Sequence, residues 1–84
     1  MRIIYTKKFA REYKKLPVTV KEQAKKQVAL FQKDPFDPAL KTHKLHSRFH
    51  EFWSFSITRS YRLVFEFGDD ACYFHSIGDH RVYQ

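Results

Sequence analysis

Apolar positions follow helical spacing through residue 33 and strand-like alternation from residue 44 onward, and a segment with two prolines separates the regimes. Arg2-Ile3-Ile4-Tyr5 is a short β-rich run, after which Thr6 offers an N-cap hydroxyl to a helix carrying Phe9, Tyr13 and Leu16. Pro17 ends that helix. A second is expected from about Val18 to Lys33, with Val20, Ala24, Val28 and Phe31 in one stripe and Lys21, Lys25, Lys26 and Lys33 largely off it. So short a break predicts an antiparallel helical hairpin. Asp34-Pro35-Phe36-Asp37-Pro38 then halts helix twice, because each proline disfavours the α region at the residue before it.

In the second half Phe49, Trp53, Phe55 and Ile57 share one parity, and Tyr61, Leu63, Phe65 and Phe67 continue the alternation. Thr58-Arg59-Ser60 and Gly68-Asp69-Asp70 are the turns between strands. The expected class is α+β, with a β-α-α-β-β-β order and an antiparallel sheet carrying the two-helix hairpin on one face, in a single domain over residues 1–84. The last strand, Ala71 to Ile77, has apolar residues at both parities, so its facing stays open.

Composition narrows the class further. A chain of 84 residues can build one modest core, and its 18% aromatic content supplies large buried area per residue. Cys72 is the only cysteine, which excludes an internal disulfide, a thiolate zinc cluster and a CxxC redox motif and predicts a small buried hydrophobe. No apolar run approaches the ~20 residues of a membrane span, and MRIIYTKKF lacks the apolar region of a signal peptide, so a cytoplasmic protein without membrane partners is expected. Charge is divided unevenly. Residues 1–33 hold ten Lys or Arg against two Glu, net +8, whereas residues 34–84 hold six against seven, net −1. A surface of that sign attracts RNA, DNA or an acidic protein segment.

With turns centred near Arg59 and Asp69, Arg62 falls opposite Ser56 on one neighbour and near Ser76 on the other, with Ser54 farther along the same face. That face is expected to be open, with Arg62 set among small hydroxyl side chains where a phosphate could settle. The chain then closes on Ile77-Gly78-Asp79-His80-Arg81-Val82-Tyr83-Gln84. Here an imidazole suited to proton transfer at neutral pH stands beside a guanidinium and a phenol that can stack on a base. His43, His46 and His50 have metal-like spacing, but in an extended segment period two sends His43 away from the others, and no metal site is expected. No phosphate loop, nucleophile elbow or paired-carboxylate spacing is present.

The basic hairpin, then His43-Lys44-Leu45, Phe52-Trp53-Ser54 with Ile57, Tyr61-Arg62-Leu63-Val64-Phe65 and Gly78-x-His80-x-x-Tyr83, resembles in order and spacing the RelE/ParE toxin superfamily. The likeness is greatest to its RelE, YoeB and YafQ branch of mRNA interferases. It implies the toxin of a type II toxin–antitoxin pair, a ribosome-dependent endoribonuclease that cuts mRNA in the A site without a metal or other cofactor. The ribose 2′-OH would be the nucleophile, leaving a 2′,3′-cyclic phosphate and a 5′-OH. By the same resemblance His80 is the general acid, Arg62 stabilises the phosphate, Tyr83 orients the substrate, and His43 is the base or steadies the transition state. The base is open among His43, Glu51 and His50, and Glu51 shares the core-side parity of Trp53. Lys44, Arg48, Arg81, Lys21, Lys25 and Lys26 are the expected contacts to mRNA and 16S ribosomal RNA. A cognate antitoxin with a disordered acidic or amphipathic segment is the implied protein partner. A ParE-like gyrase poison, or an inactive antitoxin-binding module, is the alternative on the same fold.

Overall fold

The computed structural model describes residues 1–45, 51–79 and 82. The chain runs β1 (Arg2–Tyr5), α1 (Lys7–Lys14), α2 (Val18–Lys33), a 3₁₀ turn (Pro38–Leu40), β2 (His43–Lys44), β3 (Trp53–Ser56), β4 (Arg62–Phe67) and β5 (Ala71–Gly78). The helix boundaries have local causes. Thr6 caps α1, its hydroxyl accepting from Phe9 N–H at 3.1 Å, and Pro17 is the N-cap of α2. The first helix stops at Lys14, three residues before the proline, yet Leu16 is still buried. Val20, Ala24 and Phe31 of α2 are buried and Val28 half-buried, as the stripe requires.

Five strands form one sheet in the order β1-β5-β4-β3-β2. It is mostly antiparallel, with two additions to the expected layout. The N-terminal strand pairs with β5 in parallel, Arg2 to Ala71 through Tyr5 to Phe74, because the two helices carry the chain across the sheet before it returns. The two-residue β2 adds an edge, with His43 opposite Ser54 and Lys44 opposite Trp53. Phe31 of α2 is fully buried against the rings of Phe55, Phe65 and Phe74, at centroid distances of 4.9, 4.9 and 5.7 Å. The helices thus cover the face bearing Phe55, Leu63 and Phe65.

The facing of β5 is settled by a bulge. Val64 pairs with Ser76, but the next residue, Phe65, pairs with Phe74, so His75 is an extra residue in its strand. Cys72 and Phe74 point to the core before it and Ile77 after it. The parity of the apolar positions changes at His75, which is why alternation alone gave no facing.

Candidate active site

On the sheet face away from the helices the register sets His43, Ser54, Val64 and Ser76 in one row across four strands, and Ser56, Arg62 and Gly78 in the next. His43 and Arg62 therefore share a face. Two strand spacings and two residues separate them, about 12 Å between Cα atoms. The pairing of Arg62 with Ser56 follows the expectation from the turns. On the other side Arg62 pairs with Gly78, and Ser76 lies two pairs farther on, opposite Val64.

The serines do not form the anticipated open pocket. Ser54 is 0% and Ser76 4% exposed, and Ser76 donates its hydroxyl to Glu12 Oε1 at 2.8 Å while accepting from Lys8 Nζ at 2.8 Å. Helix α1 lies along the half of β5 that β1 is too short to pair. Thr6 donates to the His75 carbonyl, and Glu12 Oε1 accepts from Ile77 N–H at 3.2 Å. Side chains of α1 complete the hydrogen bonding of that strand edge and cover Ser76 in doing so.

Arg62 is drawn toward the turn instead. One terminal guanidinium nitrogen donates to the carbonyls of Thr58, Arg59 and Tyr61 at 2.7, 2.9 and 3.1 Å. The turn itself is braced, since Thr58 Oγ1 accepts from the backbone N–H of Ser60 and Tyr61, each at 3.2 Å. Among the described residues all three of these bonds use one nitrogen, and the Nε and second terminal nitrogen form the opposite edge of the planar fork, a shape that suits a phosphate. This part of the molecule is a groove of about 400 Å³, lined among others by Gln23, Gln27, Lys41, Ser56, Arg59 and Arg62. Gln27 donates to the Ser56 carbonyl at 2.9 Å. The glutamines, Lys41 and Arg59 escaped sequence reasoning because α2, the 3₁₀ turn and the β3–β4 turn meet only in three dimensions.

His43 is exposed on the edge strand, its Nδ1 3.0 Å from the carbonyl oxygen of Lys41. Lys41 has φ 53 and ψ 41, the only non-glycine residue with positive φ among those described. A left-handed backbone costs an L-residue about 1–2 kcal/mol. Lys44, next along β2, has the opposite parity. It pairs with Trp53 on the helix-side face and holds Glu51 Oε1 at 3.1 Å, which takes both residues away from Arg62 and leaves Glu51 badly placed as a base. Lys21 lies 5.9 Å above the Tyr13 ring, Lys25 borders the groove between the helices, and Lys26 is exposed on α2. These three belong to the hairpin and do not line the groove around Arg62.

His80, Tyr83, Arg81, Arg48, His46 and His50 lie outside the described residues. Among the described residues no three His, Cys, Asp or Glu side chains come together as a metal site, and no helix is long and apolar enough to cross a membrane.

A family model described as a ParE-like toxin domain matches residues 18–84. No curated protein sequence matches the chain. Among solved structures, YafQ from E. coli strain BL21(DE3) is similar with TM-score 0.79 and 20% identity, covering 96% of each chain. The YoeB/ParE toxin from Agrobacterium tumefaciens aligns with TM-score 0.80 and 18% identity over 95% of this chain and 99% of that one. The E. coli DinJ-YafQ toxin-antitoxin complex contains a chain with TM-score 0.78 and 18% identity, covering 94% of this chain and 91% of its own. At such identities the structural matches establish the fold.

Proposed function

The chain belongs to the ParE-like toxin domain family, and from that premise we propose that its 84 residues form an endoribonuclease toxin that cuts mRNA in the ribosomal A site. The observation that carries the reading is the placement of His43 and Arg62 on one sheet face, with Gly78, the last residue of β5, paired to Arg62. In the sequence His80 follows Gly78 by two residues.

In the proposed reaction His43 takes the proton of the ribose 2′-OH, whose oxygen attacks the adjacent phosphorus in line. Arg62 neutralises charge growing on the non-bridging oxygens, and His80 protonates the departing 5′-oxygen. The products are a 2′,3′-cyclic phosphate and a 5′-OH. Each proton transfer is worth about 10²–10⁴ in rate, and the ribosome supplies alignment of the strand. No step requires a metal. Tyr83 stacks on a base of the codon, and Arg48, Arg81 and the lysines of the hairpin contact RNA.

The partner of the free toxin is a cognate antitoxin. The DinJ-YafQ complex supports it, and so does an apolar groove of about 670 Å³ between the helices, lined by Tyr5, Phe9, Ala24 and Val28 with Lys14 and Lys25 at its edge. An acidic amphipathic segment has the complementary chemistry. A second reading, a gyrase poison of ParE type, draws on the family description and on Arg62, whose bonds to three turn carbonyls would serve the fold without any RNA chemistry.

Primer extension on a reporter mRNA in a cell-free translation system, with and without ribosomes, tests the proposal. Cleavage within codons by the wild-type chain and its loss in His80→Ala are the expected result. Uncut transcripts accompanied by DNA breaks on expression in cells would overturn it in favour of the poison.

A further inference from the structure

We infer that Lys41 is a positioning residue: its left-handed backbone presents its carbonyl to His43 Nδ1 and so holds the neutral imidazole as the tautomer with Nε2 unprotonated. A carbonyl oxygen accepts and never donates, so the 3.0 Å contact requires the hydrogen on Nδ1. In a neutral ring the lone pair is then on Nε2, and that atom is the one able to receive a proton. The inference rests on the reading of His43 as the base, and goes beyond it by naming the accepting atom and what selects it.

The conformation of Lys41 is imposed from both sides. Before it, Leu40 is fully buried, and the 3₁₀ turn is closed by bonds from Leu40 N–H to the Asp37 carbonyl at 2.9 Å and from Lys41 N–H to the Pro38 carbonyl at 3.2 Å. The Asp37 carboxylate adds a cap on Ala39 N–H at 2.9 Å. After it, the Thr42 hydroxyl donates to the Pro35 carbonyl, and His43 is paired with Ser54 in the sheet. One residue between these anchors must redirect the chain, and it does so in a region a lysine does not favour. Strain of this kind persists where the surroundings over-determine it and gathers at functional sites. The direction of the Lys41 carbonyl follows directly from that backbone, so the tautomer of His43 is tied to a fold-level constraint.

The test is the nitrogen spectrum of the imidazole. Long-range ¹H–¹⁵N correlation on the ¹⁵N-labelled protein at pH 8.5, where an ordinary imidazole is neutral, identifies which nitrogen of His43 carries hydrogen, with His43→Gln providing the assignment. Wild type and Lys41→Gly, which accepts positive φ, should both show a protonated Nδ1 and a bare Nε2. Lys41→Val, whose branched Cβ disfavours that region, should lose this preference. Both variants remove the ammonium, so their ratio isolates the backbone. The kcat of RNA cleavage should be roughly tenfold higher for Lys41→Gly than for Lys41→Val, with KM shared.

A protonated Nε2 in the wild-type chain overturns the inference whatever the variants do. So does finding Lys41→Gly and Lys41→Val alike in both tautomer and kcat. Should Lys41→Val fail to fold, the wild-type and Lys41→Gly spectra decide alone. An inactive wild-type enzyme would count against the proposed function instead, and the tautomer measurement would stand by itself.

Discussion

Arg62 shows how one side chain can serve both fold and chemistry. Its guanidinium bonds three carbonyls of the β3–β4 turn through a single nitrogen, a geometry that an ammonium cannot copy while also presenting a flat edge to a phosphate. Arg62→Lys should lower single-turnover cleavage by ~100-fold or more, on the scale of losing a preorganised charge-stabilising donor. The same change costs about 1 kcal/mol of stability, a shift of a few degrees in Tm. Cleavage within threefold of wild type would remove Arg62 from the reaction. Cys72 is a quieter case. Burial raises the pKa of its thiol, opposed weakly by the N-terminal ammonium, so the neutral form is favoured in the fold. Its contribution to stability is complete below the ordinary thiol range near ~8.5 and declines as pH rises above it. A thiol reagent at pH 7 should react at the rate of unfolding, and an immediate full reaction with the native protein would contradict the burial argument.

Among the elements, β5 depends most on its neighbours. Its first half is hydrogen-bonded by β1 and its second half by α1, through Thr6 and Glu12. Glu12→Ala leaves the Ile77 N–H and the Ser76 hydroxyl without their acceptor, which costs about 1–3 kcal/mol. Amide exchange at Ile77 should quicken and Tm should fall by roughly 5–15 °C, with a smaller loss in Glu12→Gln, which keeps an oxygen acceptor. Unchanged exchange at Ile77 would show that the strand edge does not rely on this carboxylate. Nothing in the linear order marks Glu12 for this task. It is one of two carboxylates in a basic hairpin, four residues from Lys8, and by spacing alone it is a solvated helical ion pair.

For the whole molecule the controlling quantity is the separation of charge between the two parts of the chain. The excess of +8 in residues 1–33 is carried largely by exposed lysines and arginines of the hairpin. Under the proposed reading this field draws the protein to ribosomal RNA and to an acidic antitoxin. Antitoxin affinity should weaken as salt rises, while at low salt the complex should melt well above the free chain. Equal melting temperatures for free and bound protein, measured by calorimetry, would refute the antitoxin assignment.

The linear order determined the helices, the turns and the pairing of Arg62 with Ser56, because periodicity, caps and turn residues act over a few neighbours. Thr6, Pro17 and the stripe from Val20 to Phe31 needed no tertiary information. The order and spacing of its motifs also pointed to the toxin family that the domain match establishes. Tertiary structure decided what depends on strands far apart in sequence: the parallel β1–β5 pair, the bulge at His75 and the burial of Ser54 and Ser76. It also decided the site. Parity separates His43 from Lys44, but only a sheet in register sets His43 apart from Glu51 and places it on the face of Arg62. Only the clamped loop before β2 turns the carbonyl of Lys41 toward the imidazole, since that direction is set by anchors at Pro35, Leu40 and Ser54 together.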